Sequence, residues 1–342
     1  MWKGYIIDIN YGSVAGQRLE HAKALIEKAG IDLTIGHYDT AESMIANLQD
    51  ADVVFCTGNP IITREIMESL PRLKVIQRFG IGYDSIDVEA ATELGILVLY
   101  SPGYCAEELA VHATAFILNL FRNVSLHDRT MRGGAWCKAK GWKPAHPGDI
   151  TLGLFGFGRS ARRLYRIFHE GFGTKVIACD PYLTKEMLPE FDVELVSFEE
   201  LLERSDVISI HAPLNKETRH TFGDKEFRKM KSTAAIINVA RGALIDQEAL
   251  IRALQTGEIR FAGLDVFEQE PLPADSPLRS MEQVVLTSHS AFTGINSERR
   301  SNEMVYELIS DIVYHNAVDG SCLADPKVIS KIPGFTIRLD RS

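Results

Sequence analysis

Five polar side chains in the second half of this sequence stand directly after or just beyond short apolar runs. They are His211 in VISIHAPL, Arg241 in IINVARGALID, Asp265 and Glu270 in FAGLDVFEQEPL, and His289 in VVLTSHSAF. A strand covered on both faces is apolar along its length, so polar residues at its exit mark the rim where parallel sheets collect their chemistry. An imidazole changes charge near neutral pH and moves protons. A carboxylate beside it favours the charged form, and a guanidinium clamps a carboxylate or polarises a carbonyl. Glu270, Arg241 and one histidine are therefore the parts of a proton transfer to or from a substrate oxygen. Spacing alone leaves His211 and His289 as rivals for that role.

The stretch TLGLFGFGRSARRLYRIF reads strand, then Gly156-Phe157-Gly158-Arg159-Ser160-Ala161, then helix. Gly156 permits a tight turn, Gly158 lets the backbone approach a pyrophosphate at the positive end of the helix, and Ala161 is small enough for close helix–strand packing. Asp180 closes the next apolar run, TKVIACDPY, 22 residues beyond Gly158. A carboxylate there accepts hydrogen bonds from ribose hydroxyls and repels a 2′-phosphate, which predicts NAD in preference to NADP. Hydride transfer matched by proton movement is the chemistry that follows.

Holding these groups in place requires sheets. Short β-branched runs alternate with helical patterns almost from end to end, which predicts an α/β protein with parallel sheets. Strands are expected at 5–9, 32–35, 52–56, 74–77 and 96–100, with a helix at 14–29 that puts Leu19, Ala22, Leu25, Ile26 and Ala29 on one face. A loop at 126–149, with two of the three tryptophans, separates this unit from a second series of strands at 151–155, 175–179, 207–211, 235–239, 261–266 and 284–287. Helices are expected between them at 158–170, 198–204, 224–230 and 247–256. Six strands complete a dinucleotide-binding domain. The last pattern, 297–317, places Met304, Val305, Leu308, Ile309, Ile312 and Val313 at helical spacing and needs a core, for which the first unit is the candidate. The expected organisation is a substrate domain of residues 1–101 and 292–342 around a nucleotide domain of residues 102–291.

The formal charge of −9 offers no summed basic field for nucleic acid or an anionic membrane. No apolar run approaches the roughly 18 to 20 residues that span a bilayer, and the N-terminal segment lacks the basic and apolar regions of a signal peptide, so the expected location is the cytoplasm. Cys56, Cys105, Cys137, Cys179 and Cys322 are an odd, scattered set without a C-x-x-C pair. They predict neither disulfides nor a metal site.

In order, the pieces RFGIGYDSIDVEAATELGI, SPGYCAEELAVHATAFILNL, GLFGFGRSA with CDPY, HAPLNKETRH, INVARGALIDQEAL, GLDVFEQEPL and LTSHSAFTG resemble the D-isomer-specific 2-hydroxyacid dehydrogenase family over nearly the whole chain. The resemblance implies two doubly wound parallel-sheet domains, a Rossmann NAD-binding domain inserted into a flavodoxin-like substrate domain, with the active site in the cleft. It further implies a homodimer joined through the nucleotide domains, the 126–149 loop being an intersubunit arm. It makes His289 the general acid/base, Glu270 its partner and Arg241 the substrate-orienting cation. His211 moves to the cofactor wall with Ala212, Pro213 and Thr218. Phe157, Arg159 and Ser160 complete the glycine loop, while Val239, the Ala240 backbone and Asp265 face the nicotinamide. The amides of Ile81 and Gly82 hold the substrate carboxylate, with Arg78 and Tyr104 beside them. Closure about hinges near Pro102 and residues 290–294 excludes water.

Two positions depart from the family pattern: Ser288 stands where a proline usually precedes the catalytic histidine, and Tyr100-Ser101-Pro102 where an asparagine commonly precedes the interdomain proline. RFGIGYDSID and AFILNLFRN also resemble the C-terminal-binding protein corepressors, which keep the same Arg, Glu and His. The expected function is interconversion of a small 2-keto acid and its D-2-hydroxy acid. The alternative is an NADH-responsive protein-binding module with little or no turnover.

Overall fold

A computed structural model of the chain describes residues 1–8, 15–58, 60–136 and 146–338, with backbone alone for 15–19. The chain divides into two units, Met1–Tyr104 with Gly294–Ser342, and Cys105–Thr293.

The first unit runs β1 (Trp2–Ile6), α1 (Ala15–Lys28), β2 (Ile31–Ile35), α2 (Ala41–Asn47), β3 (Val53–Cys56), α3 (Arg64–Glu68), β4 (Val75–Arg78), α4 (Val88–Leu94) and β5 (Leu97–Leu99). Local signals start and stop the helices. Thr40 caps α2 through its hydroxyl, Asp87 caps α4, and Gly95 ends α4 at φ +73. The parallel sheet has the order β2-β1-β3-β4-β5, the flavodoxin-like winding. Alternation along β3 serves both faces. Val53 and Phe55 enter one apolar cluster, while Val54 and Cys56 enter another with Met44, Ile66 and Ala90.

The second unit opens with α5 (Ala106–Arg122) and α6 (Val124–Arg132), which meet at a 63° bend around Asn123 at φ +51. It continues through β6 (Thr151–Phe155), α7 (Arg159–Tyr165, extended by a π turn at Arg166–Glu170), β7 (Lys175–Cys179), β8 (Glu194–Leu195), α8 (Phe198–Arg204) and β9 (Val207–Ile210). Then come α9 (Asp224–Lys229), β10 (Ala235–Asn238), α10 (Gln247–Thr256), β11 (Phe261–Leu264) and β12 (Val284–Leu286). Its parallel sheet has the order β12-β11-β10-β9-β6-β7-β8, so the winding reverses between β6 and β9. The chain then returns to the first unit with α11 (Ile295–His315), whose Val305, Leu308, Ile309 and Ile312 enter the cluster of Phe55, followed by a small parallel pair, β13 (Ala317–Asp319) and β14 (Thr336–Arg338). Among the described residues no single helix is long and apolar enough to cross a membrane.

Several expected elements need correction. The nucleotide sheet has seven strands, not six, because β8 pairs Glu194 and Leu195 with Ile177 and Ala178. Two residues leave no apolar run to read. The first strand is Trp2–Ile6 rather than 5–9, in register with β2 from Trp2↔Ile31 to Ile6↔Ile35. Ile9 and Val14, at the ends of the strand and helix expected there, lie outside the described residues. The 126–149 loop begins inside α6, whose last turn holds an Asp128–Arg132 ion pair at i,i+4 spacing. Of the two tryptophans there, Trp136 is exposed; Trp142 and Cys137 lie outside the described residues. The final helix stops at His315 because Asn316 turns left-handed at φ +46. Finally, β9 to β12 each end one or two residues early, which puts His211, Val239, Asp265 and Thr287 just beyond the sheet.

Candidate active site

The turn after β6 is built for close approach. Gly156 sits at φ +85, and a side-chain carbon there would fall 2.9 Å from the amide nitrogen of Ala212. Gly158, the N-cap of α7, faces open space: such a carbon would meet nothing within 4 Å. The Phe157 ring is buried against Tyr165 and Phe191, and Ala161 is fully buried. Asp180, at the exit of β7, accepts a hydrogen bond from the Phe157 amide at 2.9 Å and another from the Tyr182 amide at 3.1 Å. An open space before a helix start, a glycine that gives backbone access and a carboxylate on the neighbouring strand, all at the reversal of strand order, fit a dinucleotide.

His211 stands behind that turn. Its Nδ1 is 3.0 Å from the Ser160 hydroxyl and its Nε2 is 2.9 Å from that of Ser209. Burial pushes its pKa down to about 4. A buried ring with both nitrogens engaged is a bridge. The bridge, which ties Ser160 on the glycine turn to β9, was missed in the sequence because serine at 160 and 209 carries no pattern. Beyond it, Ala212 is buried, and the Thr218 hydroxyl closes the next loop on the Pro213 carbonyl at 2.7 Å. Val239 is buried, and the Ala240 amide donates to Asn238.

Arg241, Glu270 and His289 come together within this unit. His289 Nδ1 lies 2.6 Å from Glu270 Oε2, and Glu270 Oε1 accepts the Phe267 amide at 2.9 Å. Burial alone would raise the pKa of Glu270; the hydrogen bond and charge of His289, the Phe267 amide and the charge of Arg241 outweigh it, and the carboxyl is held below its ordinary range. The His289 side chain is 41% exposed, and its Nε2 has no hydrogen-bond partner among the described residues. The arrangement presents one imidazole nitrogen outward and clamps the other. Gly242 makes the packing possible: a side-chain carbon there would fall 1.9 Å from the carbonyl carbon of Phe267, on the loop that carries Glu270. Arg241 itself donates to the Ala240 carbonyl through Nη1 at 2.8 Å.

Asp265 is turned toward the His289 segment. It is 1% exposed, and its carboxylate accepts from the Thr287 hydroxyl at 2.5 Å and from the amides of Ser290 and Ala291 at 2.8 and 2.9 Å. Its backbone carbonyl takes the His289 amide at 2.7 Å. His289 meanwhile holds φ +49, a left-handed conformation uncommon for a residue with a side chain. His112 of α5 reaches this cluster, 2.9 Å from Thr287 Oγ1. Sequence reading passed over it because a histidine inside an apolar helix carries no spacing signal.

The first unit carries a separate group of polar atoms at the carboxyl end of β4. Arg78 Nε donates to the Gly82 carbonyl at 2.5 Å, while its Nη1 is buried without a hydrogen-bond partner among the described residues. Gln77 Oε1 and Ser101 Oγ share that condition. Ile81 is partly exposed, and Tyr104 is buried with its carbonyl accepting from Arg300.

Known proteins are similar to this chain in sequence and fold. The family profile described as D-isomer specific 2-hydroxyacid dehydrogenase, NAD binding domain, matches residues 114–291. The chain is 39% identical over 269 residues to a glyoxylate reductase of Korarchaeum cryptofilum, covering 77% of this chain and 80% of that protein. It is 36% identical over 295 residues to a D-3-phosphoglycerate dehydrogenase of Methanocaldococcus jannaschii, covering 86% of this chain but 56% of that longer protein. Among solved structures, a D-lactate dehydrogenase from Aquifex aeolicus complexed with NAD and lactic acid aligns with a TM-score of 0.80 at 28% identity, over 91% of this chain and 95% of that one.

Proposed function

The chain belongs to the D-isomer specific 2-hydroxyacid dehydrogenase family, and from that premise we propose that it reduces a small 2-keto acid to the D-2-hydroxy acid with His289 as proton donor. It is an NAD-dependent oxidoreductase. Bound NAD supplies or accepts the hydride. Gly156, Phe157, Gly158, Arg159 and Ser160 hold the pyrophosphate, Asp180 the ribose hydroxyls, and His211, Ala212, Pro213, Thr218, Val239 and Ala240 the wall of the cofactor site. His289 gives a proton from Nε2 to the substrate oxygen while Glu270 keeps the ring oriented. Arg241 clamps the carboxylate and polarises the carbonyl. The observation that carries this assignment is the 2.6 Å contact between His289 Nδ1 and Glu270, with Nε2 left outward.

The substrate is taken from the class that relatives' names span, glyoxylate and phosphorylated three-carbon acids among them. Following NADH and NADPH oxidation over glyoxylate, hydroxypyruvate, branched 2-keto acids and 3-phosphohydroxypyruvate tests it. Turnover with at least one acid, faster with NADH, is expected. Faster turnover with NADPH would remove the role of Asp180, and no turnover with any acid would return the chain to the protein-binding alternative. The same family reading makes the protein a cytoplasmic homodimer, which light scattering on the purified protein checks for its assembly.

A further inference from the structure

The Asp265 cluster holds more groups than a proton donor and its carboxylate require. Thr287 has one hydroxyl hydrogen, and it lies in the bond to Asp265 Oδ1 at 2.5 Å. The contact between Thr287 Oγ1 and His112 Nε2 at 2.9 Å must then run the other way, with the imidazole N–H donating. The directions are fixed: His112 donates to Thr287, Thr287 donates to Asp265, and Asp265 accepts the amides of Ser290 and Ala291 through its carboxylate and that of His289 through its backbone carbonyl. His112 Nε2 lies 3.7 Å from Asp265 Oδ1, and its ring packs edge-on to Phe116 at 4.8 Å. Its side chain is 22% exposed and that of Asp265 1%, so the contacts form where water competes little. The segment they hold contains the left-handed φ of His289. A residue in that conformation persists only where its surroundings over-determine it.

We propose that His112 is a positioning residue for His289, acting through Thr287 and Asp265 to fix the turn that aims the catalytic imidazole. The inference rests on His289 being the acid/base. His112 touches neither Glu270 nor His289. Its effect is to keep the His289 backbone where Nδ1 meets Glu270 and Nε2 meets the substrate.

The test is steady-state kinetics on H112L, H112Q, T287V and T287S, with NADH affinity and thermal midpoint measured for each. A glutamine amide places an N–H at a reach similar to imidazole Nε2, and serine keeps the hydroxyl. H112L is expected to lower kcat by about tenfold or more with NADH affinity within about threefold of wild type. H112Q should restore most of the loss, T287S should resemble wild type, and H112L/T287V should be no worse than either single change, because both cut one chain. Wild-type kcat in H112L, or equal losses in H112L and H112Q, would overturn the proposal. Should H112L fail to fold, the T287V and T287S pair decides by the same criteria. H289Q is run beside them: turnover surviving there would remove the acid/base assignment itself, whereas an inactive H289Q beside a wild-type-like H112L removes only the role of His112.

Discussion

At the residue scale, the two histidines left open by spacing are separated by their partners. His289 has a carboxylate on one nitrogen and, among the described residues, no hydrogen-bond partner on the other; His211 has a hydroxyl on each. H289Q is therefore expected to lower kcat by about a thousandfold with NADH binding nearly unchanged in a fluorescence titration, and E270Q by about a hundredfold, since it keeps the shape but loses the charge. His211 makes a pH prediction. Its pKa falls from an ordinary 6.5 to about 4 in the folded chain, so the unfolded chain takes up a proton over that interval and the folded chain does not. Stability should fall as pH drops from 6.5 toward 4, level off below, and be independent of this group above 6.5. H211Q removes that slope, so the wild-type advantage in urea unfolding should shrink across the interval. A constant gap would sink the assignment of a neutral, buried ring.

At the scale of elements, two glycines that each follow a strand predict opposite phenotypes. A methyl group at Gly158 meets open space, so G158A should keep the wild-type thermal midpoint while weakening NADH binding by about tenfold or more, because the proposed function puts the pyrophosphate in that space. A methyl group at Gly242 lands on the Phe267 backbone, so G242A should lower stability by about 1–3 kcal/mol and spread the Arg241 and Glu270 segments apart. Equal effects of the two on stability would show that this contrast is wrong. The sequence made Gly158 readable, since a glycine loop between strand and helix has a known purpose, but nothing marked Gly242. The same difference runs through the elements. Buried strands such as β9 and β10 announce themselves as apolar runs; β8, two residues long and paired along one edge, does not. Polar side chains at strand exits were legible because they interrupt a pattern, whereas His112 sits inside one and owes its place to tertiary packing.

At the scale of the whole molecule, helical spacing in the last segment said that it needed a core, and the structure supplies one from the opposite end of the chain. Ile309 on α11 is fully buried in the cluster that includes Ile6, Val53 and Phe55. Some three hundred positions separate it from Ile6, and the entire nucleotide-binding unit is threaded between them. Truncating such a side chain leaves a cavity, and I309A should cost about 2–5 kcal/mol of stability in denaturant unfolding. Every group assigned to NAD lies in Cys105–Thr293, however, while Ile309 belongs to the unit formed by both chain ends. Below the unfolding range, the NADH dissociation constant of I309A should therefore stay within about twofold of wild type. Ligand stabilisation gives the second readout: saturating NADH should protect the Cys105–Thr293 unit from proteolysis in both proteins, with the first nicks in I309A falling in the terminal segments. A loss of NADH affinity that matches the loss of stability would mean that the inserted unit depends on the core around it for its fold.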